Sequence, residues 1–226
     1  MAWFGRKKSK IDKARESVAE ETPSEDDALP TGPFDIEQVD DLEGYLDLGV
    51  LKIPIQPEMN IRIELDSATR APLAVSVGLG DSVMQLQAYA APKSAGIWKD
   101  LRAERVESAE AQNGEAIEQH GPFGSEVVMK LPVQTPAGSG IRPLRCVGID
   151  GPRWFLQALF IGPAATDMKA AVPLEEALRG VVVDRGDEPL PPKRIIALTI
   201  PGQAQAEPST PSFNMPSRGP EITEIR

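Results

Sequence analysis

Few residues of this chain have the chemistry to act on a substrate. Gly80-Asp81-Ser82 places a hydroxyl between two strand-like runs, as a serine esterase would. A serine nucleophile needs a base within hydrogen-bond reach, ordinarily a histidine steadied by a carboxylate. His120 is the single histidine, and its context Glu118-Gln119-His120-Gly121 lacks the Asp-x-x-His spacing of that chemistry. The triplet therefore reads as a hairpin turn, where Gly and Asp accept unusual backbone angles. His120 reads as a surface residue at a strand end. Cys146, the single cysteine, lies mid-strand beside Arg145. A reactive thiolate needs a cation near it, and strand alternation sends Arg145 to the opposite face. An inert core thiol is expected.

Other chemistries fail on residue supply or spacing. One Cys and one His cannot complete a tetrahedral zinc site within one chain. No calcium-loop spacing is present. Gly78-Leu79-Gly80 continues as Asp81-Ser82-Val83, so the dinucleotide fingerprint breaks at its third glycine, and no Gly-x-x-x-x-Gly-Lys occurs. No cofactor is expected. Glu175 and Glu176 are consecutive on a helix and diverge, so they read as a solvated face. The connection Pro92–Trp98 runs from a strand into a helix, and helix N-termini receive anions. Lys93 would reinforce such a site. The competing reading is an ordinary capped connection with Trp98 packed on the sheet. A ligand pocket, if one exists, is expected between the sheet and the first helix, near Lys93, Trp98, Arg145 and Arg153.

The elements that must carry these residues are mostly strands. YLDLGVLKIPI, IRIELD, LAVSVGLG and VMQLQAYA alternate in polarity, and the last two flank the Gly80-Asp81-Ser82 turn. A helix of about 96–111 follows, with Ile97, Trp98, Leu101 and Val106 as its stripe and Asn113-Gly114 as its stop. Four more strands are EAIEQH, SEVVMKLPV, RPLRCVGI and RWFLQALFI, the last two about an Asp150-Gly151-Pro152 turn. RWFLQALFI is apolar on both faces, which places it near the sheet centre. A second helix of about 172–181 has Pro173 in its first turn. RIIALTI at 194–200 is a final strand. The expected fold is α+β: a single antiparallel sheet of about eight or nine strands, two helices packed on it, and disordered tails.

Charge is unevenly spread. The chain has 226 residues and a net charge of −10. Residues 6–15 hold six basic side chains against Asp12, and residues 16–43 hold eleven acids with no Lys or Arg. That composition predicts a disordered basic-then-acidic arm over 1–43. Prolines at 201, 208, 211, 216 and 220 predict a disordered tail over 201–226. The folded domain is expected over 44–200. An acidic surface disfavours nucleic acid, except through residues 1–15. Those residues, with Trp3-Phe4, are also the only candidate for attachment to an anionic membrane. No apolar run approaches the ~20 residues of a transmembrane helix. The start lacks a secretory apolar run, and a lone cysteine needs no oxidising compartment. A cytoplasmic protein is expected.

Several longer runs resemble an actinobacterial family catalogued as domain-of-unknown-function family 3710. They are MAWFGRKKS, Gly32-Pro33-Phe34-Asp35, YLDLGVLKIP, SVMQLQAYAAPKSAGIW, CVGIDGPRWFLQALFIGPAA and Val183-Asp184-Arg185-Gly186 before PLPPK. The likeness implies no activity, substrate or site residue. The strand–helix order is also similar to the sandwich of proteins related to the photosystem protein PsbP and the nuclear-transport factor Mog, which act mostly as binding modules. Such a likeness of fold does not fix function. The expectation is a non-enzymatic protein-interaction or accessory module with a protein partner. Its alternatives are a small-molecule-binding domain or unrecognised enzyme with the sheet–helix pocket, and peripheral attachment through the basic N-terminus.

Overall fold

Alternating apolar runs pair into two sheets in the computed structural model, which describes residues 32–135 and 138–202. The larger sheet holds β4 (Asn60–Leu65), β5 (Pro72–Leu79), β6 (Ser82–Ala90), β7 (Glu115–Gly121), β8 (Gly124–Thr135), β9 (Gly138–Gly151) and β10 (Trp154–Ile161). Its order is β4-β5-β6-β10-β9-β8-β7, with every neighbouring pair antiparallel. The smaller sheet holds β1 (Phe34–Asp35), β2 (Tyr45–Asp47), β3 (Leu51–Pro54) and β11 (Val182–Val183), in the order β1-β11-β3-β2. Only β1 and β11 run parallel.

The expected single sheet is therefore two. YLDLGVLKIPI is not one strand, because it reverses at Leu48-Gly49-Val50. Gly49 has φ of +76° and its N–H donates to the Asp47 carboxylate at 2.8 Å. A left-handed backbone at this point favours glycine. The β2–β3 hairpin that results leaves the large sheet and forms its own. Residues 32–43, assigned by composition to the N-terminal arm, carry β1 and a short 3-10 turn capped by Asp35. Apolar Phe34 and the pairing with β11 place this stretch in the fold despite its acidic neighbours. The basic block at 6–15 and the tail from 203 lie outside the described residues.

β10 is the middle strand of seven, as its two-faced apolarity requires. Trp154, Leu156, Ala158 and Phe160 join a core with Val75, Leu86, Val147 and the small-sheet residues Leu51, Ile53 and Val183. Phe155 on the other face joins Tyr89, Trp98, Leu101, Val127 and Cys146. Helix α2 (Met168–Arg179) covers the first face and α1 (Trp98–Ala111) the second.

Helix α1 ends where expected. Asn113 takes φ of +57°, and the Gly114 N–H donates to the Ala109 carbonyl at 2.9 Å. Helix α2 begins a turn earlier than expected. The Asp167 carboxylate accepts the Lys169 N–H at 2.8 Å and caps it, so Pro173 falls inside the helix on an exposed side. Side-chain capping here outweighs the preference of proline for a first turn.

The expected last strand is reduced to a strap. Ile195 makes an isolated bridge with Tyr89, after which the chain bonds to the start of β5 (Leu198 N–H to the Pro72 carbonyl, 2.7 Å) and to the β2–β3 turn (Thr199 N–H to the Leu48 carbonyl, 2.8 Å). It occupies the edge of β6 that β5 leaves free beyond Leu86, because β5 pairs only with Ser82–Leu86.

Candidate functional site

The four residues expected to line a pocket do not converge. Lys93 is exposed in the connection before α1. Trp98 is buried under α1, stacked on Phe155 with centroids 5.7 Å apart, its indole N–H donating to the Ser125 carbonyl at 2.6 Å. Arg145 is buried on the opposite sheet face, beneath α2. Arg153 sits at the β9–β10 turn with φ of +60° and donates to the Gly186 carbonyl. That turn is Pro152-Arg153; Asp150 and Gly151 remain in β9.

The anion position at the start of α1 is real but filled from within. The Asp150 carboxylate accepts the Ile97 N–H at 2.8 Å and the Trp98 N–H at 3.3 Å. A strand thus caps the helix across the fold, satisfying donors that would otherwise face a ligand. The Ser82 hydroxyl is buried and accepts the Ala164 N–H at 3.0 Å. His120 is exposed at the end of the edge strand β7. Ser82 and His120 thus have separate settings, one inside the core and one on the sheet rim.

Glu175 and Glu176 do not share a solvated face. Glu176 is exposed, but Glu175 is buried and bonded to Arg145. The Arg145 Nε also lies 3.0 Å from Glu126, whose second oxygen accepts from Gln119 at 2.7 Å. All three charged side chains are under one-tenth exposed. The cluster joins β8, β9 and α2, and the guanidinium lies over the Phe160 ring at 4.6 Å. Its donors and acceptors are engaged with one another, which makes it a tether for α2 and not an open site.

Between α1 and the sheet lies a cavity of about 290 Å³. Its roof is Arg105, Ser108, Ala109 and Gln112, which recur at the spacing of one helix face. Gln87 and Gln157 are cross-strand partners in its wall, and Met129, Leu131, Leu144, Cys146 and Leu159 give an apolar floor. The cause is local. The front of α1 plants Trp98 and Leu101 on the sheet, whereas the back presents residues too short or too polar to fill the gap. The Arg105 Nη2 donates to the Gln157 Oε1 at 2.8 Å, and the Tyr89 hydroxyl donates to the Gln87 Oε1 at 2.5 Å. None of these lining residues was marked as functional by spacing. The available signal was polarity at Gln87 and Gln157, on sheet positions that face a helix.

Burial pushes the Cys146 thiol up to about 12, against the pull of the Arg105 guanidinium. Burial likewise raises the Tyr89 hydroxyl, again against Arg105. At pH 8 about one thiol in ten thousand would be ionised. Iodoacetamide is therefore expected to spare Cys146 in the native chain at pH 8 and to modify it in urea, read by intact mass. Equal rates in the two states would show the thiol to be reachable. The same shift ties stability to pH. The folded thiol stays neutral while an unfolded one ionises near its ordinary 9.0. This contribution is intact below about pH 9 and lost as pH rises toward 12.

A second concavity, an open cleft of about 520 Å³, lies by the small sheet and is lined by Asp47, Lys52, Asp184 and Thr199 among others. The Lys52 ammonium donates to Asp47 and to the Gly49 carbonyl, each at 2.7 Å, and lies 3.6 Å from Asp184. Burial pushes the Asp47 carboxyl up, but Lys52 and the Gly49 N–H outweigh it and the net shift is downward. The three donors of this ammonium already have three acceptors around them, so the cation is engaged within the fold.

Among the described residues no helix is long and apolar enough to cross a membrane. No curated protein and no solved structure matches the chain. A family model described as protein of unknown function (DUF3710) matches residues 32–207, so it spans both sheets, both helices and the strap. The chain belongs to this family of unknown function.

Proposed function

We propose that this protein is a non-enzymatic binding module that holds a small organic molecule between α1 and the seven-stranded sheet. The cavity of about 290 Å³ is the observation that carries this reading. Small-molecule sites pair apolar walls with a few convergent polar groups, and Arg105, Gln87 and Gln157 over a leucine-rich floor have that character. The absence of catalysis is part of the proposal. Cys146 is held neutral, and His120 lies on β7, two strands beyond β9. The setting proposed is cytoplasmic, in keeping with a single buried thiol.

Native mass spectrometry of the full-length protein, purified without denaturant, tests the reading. The expected result is a small adduct that is released on unfolding. It should be missing from Ser108→Tyr, which blocks the cavity roof from an exposed position. An adduct kept by Ser108→Tyr, or none in either protein, would overturn it.

A protein-interaction role is favoured by a different feature. Ile117 and Ile141 are 58% and 70% exposed on the α2 side of β7 and β9, where register sets them level with Val128 and Pro132 of β8. Large apolar side chains left exposed on one sheet face, here on either side of Lys130, are a feature of interaction surfaces. A protein-sized adduct in the same spectra, lost in Ile141→Glu, would mark that role.

A further inference from the structure

We propose that the cavity under α1 takes an apolar monocarboxylate, with the carboxylate on Arg105 and the hydrocarbon on the leucine floor; this rests on the binding role proposed above. Arg105 is half-buried and lines the cavity. It forms no ion pair with any acid among the described residues. Three other arginines do: Arg102, one turn earlier on α1, reaches Glu118 at 2.7 Å, and Arg145 and Arg153 each have acidic partners. In a chain of net charge −10, this cation is left facing a cavity.

The groups around Arg105 orient it without neutralising it. Gln157 holds one N–H through its amide oxygen. Tyr89 and Cys146, which also lie within hydrogen-bonding reach of the guanidinium, are both held protonated by burial and so bring it no negative charge. The remaining N–H donors of the planar fork match a carboxylate, which accepts two parallel hydrogen bonds. A lone guanidinium suits one negative charge better than the nearly two of a phosphate monoester. Opposite it, Met129, Leu131, Leu144 and Leu159 provide only apolar contact. At roughly 30 Å³ per water-sized group, the volume holds about ten heavy atoms. Octanoate has that size and that division of polarity.

Calorimetric titration of the full-length protein with octanoate, octanol and octyl phosphate tests the assignment. Octanoate is expected to bind about tenfold tighter than octanol, the margin of a charge-assisted pair. Arg105→Gln should remove that margin, bringing octanoate affinity to that of octanol in the same variant. Equal binding of octanoate and octanol by the unaltered protein overturns the carboxylate assignment. If the native adduct is still seen, the cavity reading survives that result. Tighter binding of octyl phosphate overturns it in favour of a phosphate. No binding of any probe, with no native adduct, removes both readings together. If Arg105→Gln fails to fold, the octanoate-to-octanol ratio of the unaltered protein decides alone.

Discussion

Arg145→Met is expected to destabilise the protein by about 3–5 kcal/mol, measured by urea unfolding. The substitution keeps most of the volume and removes the charge. Glu126 and Glu175 would then face each other from β8 and α2, buried and without their cation. Gln119 would still donate to Glu126, but Glu175 would lose its partner Arg145. A removed partner costs more than a whole pair replaced, because an uncompensated charge stays in the interior. The triple variant Arg145→Met/Glu126→Gln/Glu175→Gln should therefore recover most of the loss. Typical domains are stable by about 5–15 kcal/mol, so the single variant would be marginal and the triple not. A single-variant loss under about 1 kcal/mol would show that water reaches the cluster.

Gly148→Ala should cost about 3 kcal/mol, the upper range for overpacking. A Cβ at position 148 would overlap the Trp98 indole, which lies flat against the glycine. The indole has no retreat. Phe155 stacks on it, the Ser125 carbonyl holds its N–H, and Asp150 fixes the backbone of Trp98 itself. Relief must come from lifting the whole front of α1. Trp98→Leu alone also destabilises, through lost area and a lost hydrogen bond. In the double variant Gly148→Ala/Trp98→Leu the two costs should fall short of their sum by at least about 1 kcal/mol. Strict additivity in that cycle would mean the two residues do not press on each other.

The parts of the fold readable beforehand are those set by one strand or one turn. The central place of β10 follows from Trp154–Ile161 being apolar on both faces, and the end of α1 from Asn113-Gly114. The split into two sheets was hidden because the phase slip at Val50-Leu51, beside the reversal at Gly49, is a single break in an otherwise alternating run. Period two tells which residues share a face, not which sheet the face belongs to. Glu175 was hidden because its burial depends on Arg145, thirty positions away and on another layer. A cavity does lie between the sheet and the first helix, but Lys93, Trp98, Arg145 and Arg153 do not line it. Arg105, Ser108 and Gln112 look like the wet side of α1, and Trp98 looks like a ligand contact. In space they exchange roles: the tryptophan anchors the helix and the polar residues roof the gap.

The parallel pair of β1 and β11 has a consequence for how the chain is made. Phe34 is synthesised early and Val182 late, and each is the other's register partner. The large sheet draws its strands from Asn60 to Ile161, so it is complete before that pair can close. Phe34 and Asp35 must therefore wait, with the Asp35 carboxylate ready for the indole N–H of Trp154, until the last short strand emerges. Pairings of such long separation make assembly slow. On a ribosome, the small sheet would be the final piece to lock, and a chain stalled before Val182 would carry a finished seven-stranded sheet and both helices but no β11, so β1 would have no strand to pair with.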